Sequence, residues 1–348
     1  MSVDASALGA HRVLEPDGVL PQVAWKLDAT PVARPNEILC DVEALNIDSA
    51  SFRQIAEING GDVDRVAAHV MALVEERGKH HNPVTGSGGM FVGRVRAIGA
   101  ALAEHSDLHV GDRIASLVSL TLTPLCISTI ERIDMATGRV WIRGTAVLFA
   151  SGLYAKLPDD IADDVALAVL DVAGAPAQVR RLAKTGQAIA ILGADGKSGM
   201  LSCAQARDRV GPHGRIVGIA PDTSTQAARL LVEHGYVDAF LEADARDAFA
   251  IMDAIPRVLP DFADLTINCV NVPGTELSSI LLTKDDGIVY FFSMSTSFTA
   301  AALGAEGMGK DVTMIIGNGY AKGHAATALQ TLRDHPAIAA YFTARYSS

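Results

Sequence analysis

Apolar residues fall along this chain in two different patterns, and the change comes near residue 160. From about 10 to 155, short runs of mixed apolar and polar residues alternate with turns: EILCDVEAL (37–45), FVGRVRAIG (91–99), DRIASLVSL (112–120) and RVWIRGTAV (139–147). Such runs predict strands with faces of mixed character. One helix is predicted among them over 61–77, where Val63, Ala67, Val70, Leu73 and Val74 recur at helical spacing. From about 160 to 317 the runs become short, apolar and almost without polar alternation: 188–192, 215–220, 239–241, 264–270, 287–292 and 312–316. Strands buried on both faces of a parallel sheet have this character. The intervening stretches MLSCAQARDRV and TQAARLLVEHG are amphipathic. The expectation is an α/β chain with a strand-rich first domain over 1–160 and a doubly wound parallel sheet over 161–317, the tail 318–348 completing the first domain.

The first strand of the second pattern, AIAIL, runs directly into GADGKSGM. Gly193, Gly196 and Gly199 punctuate a tight turn before a helix. Such a turn lets a pyrophosphate approach the backbone and the free N–H groups of the helix start. Asp195, Lys197 and Ser198 fill the rest of the turn, and the first two are unusual there. The reading is dinucleotide binding, with an ordinary βα turn as the alternative. The second strand ends GIAPDTS. Ala220 holds the position where an acidic residue would take the adenosine ribose, and Asp222 follows two residues later. No arginine comes before Arg229, so NAD is favoured and NADP left open. Asn271 and Ser293, after the fourth and fifth strands, are candidates for the nicotinamide end.

Composition narrows the partners. A formal charge of −11 with no basic run gives no footprint for nucleic acid. No run reaches the ~18 apolar residues of a membrane span, and the N-terminus does not read as a signal sequence. Cys40, Cys126, Cys203 and Cys269 are widely spaced and read as buried thiols of a cytoplasmic protein.

The stretch GKHHNPVTGSGGMFVG (78–93) combines two histidines with five glycines. Adjacent side chains on an extended chain point to opposite faces, so His80 and His81 cannot easily share a metal. They read as turn or surface histidines, with His81 a candidate for substrate contact. Thr85 and Ser87 could donate to a substrate or hold water, or simply fix the turn. Lys79 and Arg53 read as solvated charges that could alternatively neutralise a carboxylate.

Four segments resemble the medium-chain dehydrogenase/reductase superfamily: VEALNIDSASF (42–52), GGMFVGRVRAIG (88–99), LHVGDRI (108–114) and YAKLPDDI (154–161). The resemblance implies a GroES-like N-terminal domain, a Rossmann domain, a nicotinamide cofactor and a homodimer built through the edge of the Rossmann sheet at VTMII and Gly317. On that pattern Gly89 stands where the zinc-ligand histidine belongs and Met90 where its glutamate belongs. The other two ligand positions fall near Asp48 and near Leu170–Asp171. Two aspartates without His or Cys are a poor set for zinc, so no zinc is expected. LNIDSASFRQI (45–55), KHHNPVTGSGGMFVG (79–93) and AILGADGKSGML (190–201) resemble one zinc-free branch, the L-erythro-3,5-diaminohexanoate dehydrogenase family. That implies NAD(P)-dependent oxidative deamination of a small diamino acid. Asp48 and Asp171 would then bind ammonium or move a proton. A quinone or enoyl reductase, and a nucleotide-binding protein without turnover, are the competing readings.

Overall fold

The computed structural model describes residues 6–317 and 319–347, and the chain divides into two compact units, 1–157 and 158–348. The first unit contains β1 (Val13–Glu15), β2 (Lys26–Leu27), β3 (Glu37–Ile47), α1 (Ser49–Ile58), α2 (Val63–Arg77), β4 (Gly89–Ile98), β5 (Arg113–Ser116), β6 (Leu125–Asp134), β7 (Arg139–Phe149) and β8 (Tyr154–Lys156). Six of these strands form one antiparallel sheet in the order β6-β7-β3-β4-β5-β8. Central β3 pairs with β4 on one side and β7 on the other, and Leu45, Phe91, Ile114 and Val140 are sealed from solvent. Ile55 of α1 with Val66 and Val70 of α2 complete this core.

Helix α2 lies where its periodicity predicts. Asp62 caps it by accepting from Arg65 N–H at 2.9 Å, and Gly78 ends it in the left-handed region at φ 63°. Two elements were not anticipated. Helix α1 forms where no helix was predicted, and the hairpin β6–β7 occupies a region assigned only one strand.

One buried charge network ties the start of the chain to β3. Arg12, fully buried, donates from Nη2 and Nε to Glu37 Oε2 at 2.6 Å and Oε1 at 2.7 Å, and from Nη1 to the carbonyls of Asp28 and Thr30. His11 Nε2 lies 2.6 Å from the same carboxylate. Burial works against ionisation of Glu37, but the hydrogen bonds from Arg12, the Arg34 N–H and His11 outweigh it, so its pKa lies below the ordinary 4.5.

The second unit contains α3 (Asp163–Leu170), α4 (Gly174–Leu182), β9 (Ala188–Leu192), α5 (Lys197–Val210), β10 (Arg215–Ala220), α6 (Gln226–Glu233), β11 (Ala239–Glu242), α7 (Ala248–Ala254), β12 (Ala263–Asn268), α8 (Glu276–Leu281), β13 (Thr283–Phe291), α9 (Phe298–Met308), β14 (Thr313–Ile316), α10 (His324–Asp334) and α11 (Pro336–Tyr346). Its six strands are all parallel, in the order β11-β10-β9-β12-β13-β14. The order reverses between β9 and β12, and ligands bind at such a switch point in open sheets. Ile189 to Leu192 of β9 are completely buried, which is why the run shows no polar alternation. The tail corrects one expectation. Helix α10 packs on α3, α4 and α5, and α11 on α3, so the described part of 318–348 belongs to the second unit. Its apolar face, Ala328, Leu329, Leu332, Ile338 and Phe342, is buried there.

Replacing Glu37 with Gln leaves the buried Arg12 with only the more distant Asp28 carboxylate, 3.6 Å away, as counter-charge, and is expected to cost about 3 kcal/mol at neutral pH. A carboxylate with a depressed folded pKa contributes stability above its unfolded value and loses it as the pH falls through the folded one. Chemical denaturation of both proteins should therefore show the gap closing below about pH 4.5. A gap that stays constant with pH would remove the Glu37 charge from the account.

Candidate active site and cofactor cradle

In the first unit the loop from Gly78 to Gly89 is folded back on itself by Asn82. Its side chain accepts from Val84 N–H at 2.9 Å and donates to Gln54 Oε1 at 2.8 Å, and its backbone pairs with Gly86 and Ser87. Thr85 Oγ1 and Ser87 Oγ lie 2.9 Å apart, so these two candidates first of all bind one another. Asp48 sits at the start of α1, where its backbone carbonyl accepts from Phe52 N–H, and its Oδ2 accepts from Gly88 N–H at 3.0 Å. The carboxylate thus clamps the glycine end of the loop to the end of β3.

Gly89, at the position of the superfamily's histidine, has φ 116°, and a Cβ there would lie 2.0 Å from the Asn46 carbonyl oxygen. No larger side chain fits unless β3 and β4 separate. Among the described residues no group of three or more His, Cys, Asp or Glu side chains is arranged to hold a metal.

The histidines and the lysine differ from the surface reading. His80 is fully buried, and burial pushes its pKa down to about 4 although the backbone at Gly88 and at His80 itself acts to raise it. The closed loop turns the ring inward, which sequence spacing could not reveal. His81 is half-buried; burial, then Arg77 and Lys79, push it down to about 4 as well. Arg77 donates to the His81 carbonyl at 2.5 Å and lies 3.3 Å from its Nδ1. Arginine has only donors, so this Nδ1 is an acceptor and the ring proton resides on Nε2. Lys79 is fully buried, donates to the Pro21 carbonyl at 3.0 Å, and is pushed by burial and by Arg77 to about 8. Arg53 is exposed, as expected.

In the second unit the turn after β9 has the form of an anion cradle. Gly193 adopts φ 71°, and its N–H donates to Ile219 O at 2.8 Å. Gly196 occupies the N-cap of α5 and supplies no side-chain cap, so the first-turn N–H groups of Lys197, Ser198 and Gly199 form an uncapped helix start. The two later glycines are present for different reasons. A Cβ on Gly199 would lie 2.1 Å from Gly193 O, a collision inside the protein. A Cβ on Gly196 would meet only Gly193 O, at an ordinary 3.4 Å, and its φ of −79° suits any residue. The fold does not require glycine at 196, whereas a pyrophosphate lying on the helix start does.

Charged groups surround this turn. Lys197 Nζ is 2.6 Å from Asp171 Oδ2, so Asp171, at the C-cap of α3, is engaged with the cradle's lysine. Burial raises the pKa of Asp195 and nearby Asp222 adds to this, while hydrogen bonds from its own backbone and the Thr225 hydroxyl oppose it. Asp222 is exposed and accepts from Ser224 N–H at 2.7 Å. Beyond β12 and β13, Asn271 Oδ1 accepts from Ser295 Oγ at 3.2 Å and Ser293 Oγ accepts from Ser295 N–H at 3.1 Å. Ser295 therefore joins the two candidates. Sequence reasoning missed it because the join is made across two loops.

Comparison with known proteins identifies the family. A family model described as the L-erythro-3,5-diaminohexanoate dehydrogenase N-terminal domain matches residues 11–158. A protein named L-erythro-3,5-diaminohexanoate dehydrogenase from Acetoanaerobium sticklandii is 52% identical over 97% of this chain and 98% of its own length. A protein of the same name from Fusobacterium nucleatum is also 52% identical, again over 97% and 98%. The chain belongs to the L-erythro-3,5-diaminohexanoate dehydrogenase family. It is an oxidoreductase of medium-chain dehydrogenase/reductase fold. A mycobacterial protein complexed with NADPH superposes with a TM-score of 0.53 at 16% identity, covering 88% of this chain and 81% of that one. The quinone oxidoreductase of Coxiella burnetii gives 0.53 at 14%, with the same coverage. These distant likenesses carry the fold alone.

Gly196→Val is expected to retain the wild-type melting temperature yet lose NADH binding by fluorescence titration. Gly199→Val should destabilise the unit by about 3 kcal/mol, through overpacking against backbone. Unchanged NADH affinity in a folded Gly196→Val protein would show that the cradle does not hold the pyrophosphate.

Proposed function

We propose that the chain catalyses the NAD(P)-dependent oxidative deamination of L-erythro-3,5-diaminohexanoate to 5-amino-3-oxohexanoate and ammonia. The observation that carries this is the 52% identity across nearly the whole length of two relatives bearing that name. The turn at 193–199 supports it, because the uncapped helix start at Gly196 has no packing reason to be glycine. The reaction belongs to amino-acid degradation such as lysine fermentation. NAD is the proposed cofactor, since Arg229, the nearest cation after β10, spends its guanidinium on the Ser224 carbonyl at 2.7 Å.

The dinucleotide would lie on Gly193, Gly196 and the N–H groups of Lys197, Ser198 and Gly199, with Asn271 and Ser293 toward its nicotinamide. When bound, the nicotinamide supplies the hydride acceptor for C3. The chain's residues must then hold a substrate with two ammonium groups and one carboxylate, keep the C3 amine neutral so that its lone pair forms the C=N bond, and admit one water to release ammonia. Asp48, fixed at the start of α1, pairs with an ammonium. His81, neutral above about pH 4, offers Nε2–H to the substrate carboxylate or to the water. Thr85 and Ser87, already bonded to each other, hold that water, and Asp171 keeps Lys197 in place beside the pyrophosphate. An amine substrate develops no alkoxide for a zinc ion to stabilise, and the proposed enzyme is zinc-independent.

The proposed assembly is a homodimer through β14, an edge strand of the sheet whose Ile316 is about half exposed. The proposed location is the cytoplasm, in keeping with four cysteines free of disulfides and no described helix long and apolar enough to cross a membrane.

Asp48→Asn keeps an oxygen for Gly88 N–H and removes the charge. Steady-state kinetics should show KM for the diamino acid rising about tenfold with kcat little changed, the signature of lost uniform binding. Both parameters within about twofold of wild type would leave Asp48 a purely structural clamp. Elemental analysis of the active enzyme should find no stoichiometric zinc, and activity should survive dialysis against a chelator; one zinc per chain, lost together with activity, would overturn zinc independence.

A further inference from the structure

The second strand of a dinucleotide sheet ordinarily ends on a carboxylate that accepts hydrogen bonds from the adenosine ribose. Strand β10 ends instead on Ala220, whose side chain is buried, and Pro221 follows. Neither offers a side-chain acceptor. The turn after β9 brings a carboxylate to the same place by another route. Gly193 and Ala194 both direct their N–H groups at Ile219 O, at 2.8 and 3.4 Å, which fastens the turn to the end of β10. Asp195 comes next and stands beside residues 222–225. Its carboxylate lies close enough to the Thr225 hydroxyl and to Asp222 for both to act on its ionisation, the hydroxyl lowering its pKa and Asp222 raising it. Thr225 can donate because its oxygen, as the N-cap of α6, already accepts from Ala228 N–H at 3.1 Å.

The other acidic groups here are committed to the protein. Asp222 turns to Ser224 N–H. Glu242, paired in register with Ala220 at the end of β11, accepts from Thr223 Oγ1 at 2.9 Å and from its N–H at 3.4 Å. Asp195 differs from both: it is half-buried, it springs from the cradle itself, and the Thr225 hydroxyl is its neighbour.

We infer that Asp195, supplied by the glycine turn, is the residue that binds the adenosine ribose hydroxyls and selects NAD against NADP, in the place of a strand-end carboxylate and of Asp222. A carboxylate accepting from ribose hydroxyls makes charge-assisted hydrogen bonds. A 2′-phosphate in that position would meet the charges of Asp195, Asp222 and Glu242 with the Arg229 guanidinium held by Ser224 O, so the site discriminates by repulsion as well as by attraction. The inference rests on the reading of 193–199 as a dinucleotide cradle.

The test is fluorescence titration with NADH and with NADPH, which needs no substrate. Wild type should bind NADH at least about tenfold more tightly than NADPH, or about 1.4 kcal/mol. Asp195→Ser should weaken NADH about tenfold and bring the two nucleotides within about threefold of one another, while Asp222→Asn leaves the ratio within about twofold of wild type. Should Asp195→Ser fail to fold by circular dichroism, the isosteric Asp195→Asn carries the same expectation. A wild type that binds NADPH as tightly as NADH overturns the inference. So does a folded Asp195 variant that keeps the wild-type ratio, or a shift in Asp222→Asn as large as that at Asp195. A folded wild type that binds neither nucleotide overturns the cradle itself.

Discussion

The approach of helix α5 to the end of strand β9, closer than any Cβ would allow, is the contact on which the second unit depends. With Gly199 packed against the Gly193 carbonyl, the helix starts directly over the strand end. Its uncapped N–H groups then face the switch point between β9 and β12. The turn cannot relax away from β10, because Gly193 and Ala194 are fastened to Ile219. One steric constraint therefore determines where an anion can lie and which side chains stand around it. Lys197 and Asp171 are on one side; Asp195, Thr225 and Asp222 are on the other.

A comparable closeness governs the first unit. Gly89 presses against the Asn46 carbonyl across β3 and β4, leaving no room for the ligand that zinc-dependent members of the superfamily place there. Next to Gly89 lies a loop held from both ends, by Asp48 at Gly88 and by Asn82 within. The imidazoles inside it are kept from charging, while Lys79, at about 8, stays protonated at neutral pH and donates to the Pro21 carbonyl. His80 and His81 are both pushed to about 4, so both rings are uncharged at neutral pH. The two imidazoles accordingly add no positive charge against a substrate ammonium, and the carboxylate of Asp48 stands at the start of α1 beside the loop.

The two units divide the electrostatics of the proposed reaction. The acidic side of the cradle suits the uncharged hydroxyls of an NAD ribose and opposes an added phosphate. The N–H groups of α5 and Lys197 compensate the pyrophosphate. A carboxylate at 48 is suited to a substrate that arrives with two ammonium groups. An overall charge of −11 has the right sign for attracting such a substrate, although local geometry does the selecting.

Sequence periodicity alone determined the two-part architecture, because strands buried on both faces cannot contain polar alternation and the first unit's strands can. It also located the glycine turn between β9 and α5, since close packing of a helix on a strand end is written in the spacing of the glycines. The absence of the zinc histidine was legible at Gly89 for the same reason: a missing side chain is visible in one dimension. Helix α1 was not legible, because its apolar face is short and follows an extended strand without a break. The tail's place on α3, α4 and α5 was equally hidden, because an amphipathic helix records that it packs but not against what. His80 and Lys79 look like surface residues in a polar, glycine-rich loop, and only the closure of that loop on Asn82 and Pro21 buries them. Asp195 was visible as an oddity in the turn. Its proximity to Thr225, thirty residues away in the chain, exists only because parallel strands bring the ends of β9 and β10 side by side.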